Sequence, residues 1–144
     1  MKIIWMMMAG GFGAGARYAM TLGIQNWLSG AGARGWLAHS LGTTFPLGTL
    51  LVNICGAFLL ALVTVLALQE AVPPELRLIV GTGFLGAFTT FSTFELEAHG
   101  LLSGGQWMQA SVYVFGNLLL GFVAVMLGGM LAMRLTGGLP GGNL

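Results

Sequence analysis

The stretch GTGFLGAFTTFSTFELE, residues 81–97, carries the most conspicuous chemistry of the sequence. Three glycines within six positions, followed by the adjacent Thr89 and Thr90, make a poor continuous helix. A break between Gly86 and Thr90 would leave carbonyls without partners, which is tolerable at membrane depth only where they are buried or line a site. Freed carbonyls are good ligands for a bare alkali cation. Beyond the break, Phe91 and Phe94 are three apart and share a helical face, while Thr90, Thr93 and Glu97 cluster on an adjacent one, with Ser92 adding a hydroxyl between the rings. One strip thus alternates aromatic rings and hydroxyls. A cation path would present carboxylates or rings of carbonyls, but the acids Glu70, Glu75, Glu95 and Glu97 all lie near helix ends. Hydroxyl and amide donors suit an anion, and the quadrupole of an aromatic ring makes its edge positive. Taking a small ion out of water costs on the order of 20 kcal/mol in the idealised limit, so donors must follow one another without a gap. Weak binding at several sites then permits conduction. Ring packing, with hydroxyls bonded back to their own helix, accounts for any one of these residues but less well for the whole run.

Other polar positions in apolar surroundings are few, and such positions are functional hypotheses by default because they are costly in lipid. Arg17 lies in the first apolar segment, where it could snorkel or meet a headgroup. Asn53 lies in the second, and Ser111, Tyr113 and Asn117 in the fourth.

The elements that must position these residues follow from composition. Of 144 residues, 56% are hydrophobic and 6% charged, with mean hydropathy +0.89. A soluble domain carries about 25% charged residues, so the solvent expected for this chain is the lipid bilayer. A spanning helix takes about 20 mostly apolar residues, and four segments qualify: residues 3–28, 45–68, 76–99 and 106–134. The expected fold is therefore all-α, a single four-helix transmembrane domain over residues 1–144, its third helix broken mid-membrane. Pro73-Pro74 stop one helix and permit the next to begin. The N-terminal run after Lys2 has some features of a cleaved signal, but it continues through Tyr18 to Leu28 and reads as a retained helix.

Four spans put both termini on one side with Lys2, Arg77 and Arg134, against Arg34 opposite. The Lys/Arg bias sets orientation, and one this weak allows insertion both ways and hence an antiparallel pair. Small residues (Gly11, Gly15, Gly56, Gly116, Gly121, Gly128) offer faces for close helix approach. A nucleic-acid partner is excluded because the five basic residues are scattered rather than clustered. Cys55 reads as a small buried hydrophobe, and His39 and His99 lack ligand-spaced companions. Gly11, Gly13 and Ala16 fit a dinucleotide-binding pattern, but no strand precedes them and no acid follows at the required distance. No nucleophile, base and orienter set is visible, so no enzyme is expected.

The motifs GGFGAGARY (residues 10–18), GTLLVNICG (48–56) and GAFTTFSTF (86–94) with Glu97 resemble the Fluc (CrcB) family of fluoride channels, in order and over nearly the whole chain. The resemblance implies a dual-topology antiparallel homodimer in the cell membrane, with two pores that export cytoplasmic fluoride passively. It implies that Phe91 and Phe94 offer ring edges to the pore, that Asn53 lines it, and that Ser92 and Thr93 form a polar track beside the rings. Tyr113 and Asn117 are expected to face the pore. A structural sodium ion, not transported, would be held by the Gly86 and Thr89 carbonyls of both subunits, and Arg17, Thr90 and Glu97 complete the motifs. Glu95 stands where the family usually has a small hydroxyl residue, and a carboxylate there opposes anion entry unless it points away, is protonated or is paired. A dual-topology drug/proton antiporter is the main rival, but it needs an acid deep in the first helix, and the first acid here is Glu70. A non-transporting scaffold subunit would gain little from Asn53 or the strip of residues 90–97.

Overall fold

The computed structural model describes residues 1–29 and 45–138, and every regular element among them is a helix. Arg34 and His39 lie outside the described residues. Helix α1 spans Lys2–Ser29 and α2 spans Leu47–Leu68. The third segment is composite: a short α3 (Pro74–Arg77) runs into a π-helix, π1 (Leu78–Leu85), then one turn, α4 (Gly86–Phe88), and after an interruption α5 (Phe91–Ser103). Helix α6 spans Trp107–Leu135.

Helix α2 contains no charged residue, and its 22 residues rise about 33 Å at 1.5 Å each, enough for a hydrocarbon core of about 30 Å. Helices α2 and α6 are unbroken, long enough and apolar enough to cross a membrane. Only 17% and 11% of their most apolar stretches are buried; a core helix of a soluble domain would be mostly buried, so these side chains face lipid or another apolar surface. Leu59, Leu118, Leu119 and Phe122 are among the large side chains left exposed. Helix α1 has the length, but Lys2, Arg17 and five glycines dilute its apolar character.

The interruption follows from local chemistry. Pro74 occupies the first turn of α3, where its missing N–H costs nothing. Within π1 the turns are wide: the Gly86 amide reaches back five residues to the Gly81 carbonyl. Thr89 and Thr90 then adopt extended conformations (φ −78°, ψ 158° and φ −150°, ψ 118°), which β-branched residues favour. Helix α5 restarts with Thr90 as its N-cap, the hydroxyl accepting from the Thr93 amide at 3.3 Å. It continues through Gly100 to Ser103, because a lone glycine costs a helix only about 1 kcal/mol.

Two pairings hold the broken segment. Helix α2 packs along α6, and α1 packs against π1 and α4. Gly13 is buried where α1 crosses π1, and a Cβ there would run into the Phe84 carbonyl. The glycine pattern at residues 11–16 therefore lies inside a helix and serves packing. On α2, a Cβ at Gly56 would collide with the Thr89 methyl, so Gly56 lets the interruption rest directly on α2. Apolar clusters flank the interruption on both sides: Val52, Leu85 and Phe88 before it, and Leu50, Phe94, Ala98, Leu101 and Tyr113 after it.

Candidate functional site

At the interruption the backbone of Thr90 is paired by a side chain instead of by a helix. Its amide donates to Asn53 Oδ1 at 3.0 Å, and Asn53 Nδ2 donates to the Thr90 carbonyl at 3.3 Å. In an unbroken α-helix that amide would go to the carbonyl four residues back, on Gly86. Asn53 thus stabilises the break and draws the usual donor away from the Gly86 oxygen. Asn53 Nδ2 also donates to Asn117 Oδ1 at 3.1 Å, and Asn117 Nδ2 is anchored on the Tyr113 carbonyl at 3.0 Å.

From there a line of groups runs along α5. The Thr90 hydroxyl donates to Thr93 Oγ1 at 2.9 Å. The Phe94 ring lies 5.4 Å from that of Tyr113 and 5.6 Å from that of Phe91, both pairs tilted. The line ends on Glu97, whose carboxylate accepts from Thr49 Oγ1 at 2.9 Å and from Tyr113 Oη at 2.6 Å. Through these two hydrogen bonds Glu97 ties α2, α5 and α6 together. Phe45 meets the Tyr113 ring edge-on, with centroids 5.7 Å apart and planes at 82°. Among the described residues no buried side-chain nitrogen or oxygen lacks a partner.

Burial separates the residues singled out in the sequence. Tyr113 is fully enclosed and Phe94 is 7% exposed, whereas Phe91 is 68% exposed. Asn53, Thr93, Glu97 and Asn117 are half-buried, and Ser92 and Glu95 are exposed on α5. Asn53, Thr90, Thr93, Phe94, Glu97, Tyr113 and Asn117 are therefore brought together. Ser92 and Glu95 share the open surface with Phe91. Gly86 is exposed and Thr89 half-buried, the Thr89 hydroxyl donating to the Leu85 carbonyl at 3.0 Å. Arg17 is half-buried on α1 and forms no ion pair among the described residues; the structure does not bring it into this line. Thr49, absent from the sequence-derived candidates, belongs to the cluster. Its signal is spacing: Thr49 and Asn53 are four apart on α2, as Tyr113 and Asn117 are on α6, and each pair shares one face.

Apolar helices with exposed long side chains, wrapped about a polar line at a helix break, define an integral membrane protein. The chain belongs to the CrcB family: the family described as CrcB-like protein, Camphor Resistance (CrcB), matches residues 4–129. Similar curated proteins carry the name fluoride-specific ion channel FluC. One from Acidobacterium capsulatum is 40% identical over 137 residues, covering 94% of this chain and 99% of its own. One from Hydrogenobaculum sp. is 38% identical, covering 96% and 99%, and one from Thermus thermophilus is 43% identical, covering 74% and 84%.

Proposed function

We propose that this chain is a fluoride-selective channel that lets cytoplasmic fluoride leave the cell passively and so reduces its toxicity. The observation that carries the reading is the continuous line of uncharged donors and ring edges from Asn53 and Thr90 through Phe94 to Tyr113, in a family whose named relatives are fluoride channels. A fluoride arriving at the break competes for the Asn53 Nδ2 hydrogens with the Thr90 carbonyl and Asn117 Oδ1. Each such bond is worth about 1 kcal/mol net, so the ion is bound weakly and released readily. Hydroxyls of Thr93 and Ser92 and the ring edges of Phe94 and Phe91 take it onward, and no Lys or Arg in this line would trap it.

The working unit is an antiparallel homodimer with four membrane crossings per subunit and two pores. Exposure of Phe91 and Ser92 on the single chain supports this, because a second copy would enclose the open side of the line. A structural sodium ion fits the interruption: the Gly86 oxygen has lost the Thr90 amide to Asn53, and Gly86 is exposed where a second subunit would meet it. Gly86 and Thr89 carbonyls of both copies would hold it, and the ion would supply fixed positive charge that joins the two breaks. It is not transported.

Phe94→Ile tests the reading. The swap keeps an apolar side chain in the cluster but removes the ring edge, so fluoride efflux from proteoliposomes is expected to fall to near background while the protein stays folded. Undiminished efflux would remove the ring-edge pathway.

A further inference from the structure

Away from the polar line, a cavity of about 330 Å³ opens between the start of α1, the far half of α2, and α3 with π1. Its rim is charged, with Lys2, Glu75 and Arg77, and its wall is apolar, with Leu60, Pro74 and Leu78. Thr64 lies one turn from the end of α2, so the cavity sits where the spanning helices meet the headgroup region. Lys2 Nζ and Glu75 Oε1 are 3.0 Å apart, and this hydrogen bond with the lysine holds the Glu75 carboxyl below the usual carboxylate range. Arg77 forms no ion pair among the described residues.

We infer that this cavity binds the phosphodiester headgroup of an anionic phospholipid, the phosphate resting on Arg77 and Lys2 and the adjoining acyl chain on Leu60 and Leu78. Charge matching favours the diester: two cations less one carboxylate leave a net charge of +1, which one diester phosphate neutralises. Inorganic phosphate is partly a dianion at neutral pH, exceeding that charge, and has no apolar part for the Leu60–Leu78 wall. The volume lies at the small end of the range of ligand pockets, about 300–1,000 Å³, and suits a headgroup better than a whole lipid. Basic pockets between spanning helices commonly hold such headgroups. Glu75 has a part as well, since its bond fixes the Lys2 ammonium at the rim.

The test is native mass spectrometry of the purified full chain in detergent, titrated with phosphatidylglycerol or with phosphatidylcholine of the same acyl chains. Wild type is expected to retain phosphatidylglycerol at clearly lower lipid concentration than phosphatidylcholine. A cation near an anionic lipid is worth about a fivefold change in binding, so K2Q/R77Q, which removes two, should lose that preference by roughly 25-fold. Arg134→Gln, which removes one charge at another helix end, should leave it almost unchanged. If K2Q/R77Q fails to fold, Glu75→Gln serves instead: its amide oxygen can still accept from Lys2 while the negative charge is gone, so it is expected to raise the preference a few-fold. A preference that survives K2Q/R77Q, that falls equally in Arg134→Gln, that does not rise in Glu75→Gln, or that inorganic phosphate abolishes at millimolar concentration would overturn the site. Fluoride efflux of K2Q/R77Q in phosphatidylcholine liposomes should match wild type, because neither residue touches the polar line; this keeps the lipid site separable from the channel reading.

Discussion

A single amide side chain decides what happens at the helix break. Asn53 both accepts from and donates to Thr90, and it reaches Asn117 as well. Asn53→Asp retains the acceptor for the Thr90 amide, but it replaces the Nδ2 donor with a charged oxygen facing the Thr90 carbonyl and Asn117 Oδ1. An unpaired buried group costs about 1–3 kcal/mol, more when charged, and a carboxylate repels the anion besides. Fluoride efflux of Asn53→Asp is expected to fall at least tenfold, on the scale of about 1.4 kcal/mol; a near-normal rate would place Asn53 outside the pathway. Tyr113 offers a second measurement at this scale. Tyr113→Phe keeps the ring beside Phe94 but deletes the 2.6 Å bond to Glu97. A hydrogen bond is worth about 0.5–1.5 kcal/mol net, so a fall in the thermal midpoint of the purified protein is expected, and an unchanged midpoint would show the bond to be dispensable. Much of this cluster was legible in the sequence, since Asn53, Thr90, Thr93, Tyr113 and Asn117 are polar residues in apolar surroundings. The pairing of Thr49 with Glu97 was not. The two are 48 positions apart, and no local periodicity encodes which helix faces meet. Arg17 illustrates the converse: its position in a motif is readable, but its distance from the polar line depends on how α1 packs.

At the scale of elements, the sequence announces a break but not its form. Glycines at 81, 83 and 86 and the paired threonines locate a weak helix over residues 81–90. The wide π turns over Leu78–Leu85 lie against α1, and spacing alone does not reveal them. Gly13 is the contact that makes this crossing close. In Gly13→Ala the better helix former returns about 1 kcal/mol, while overpacking costs about 1–3 kcal/mol. The obstacle is the Phe84 backbone rather than a flexible side chain, so the cost prevails. The thermal midpoint of Gly13→Ala is expected to drop, whereas Gly23→Ala, on the same helix with open space around it, should hold or rise. Equal midpoints for the two variants would mean that the α1–π1 crossing does not depend on backbone contact.

At the scale of the whole molecule, the exposed apolar surface fits a lipid setting, and the half-open polar line is what the proposed second copy of the chain would close. Phe94 is enclosed by its own subunit, but Phe91, one turn away, stands on the open face. In the proposed dimer that face would be covered and the pathway along these rings completed. Composition alone made the membrane setting readable, because 6% charged residues cannot clothe a soluble surface. Where a second copy would sit in the proposed dimer is not encoded in any one segment, since the open residues Gly86, Phe91 and Ser92 come from both α4 and α5. The most direct measurement is fluoride efflux from liposomes holding the purified wild-type protein, followed with a fluoride electrode, with chloride-loaded liposomes in parallel. Rapid fluoride efflux with negligible chloride release is the predicted result. Folded protein that releases no fluoride, or releases chloride equally fast, would contradict the reading of this polar line as a fluoride pathway.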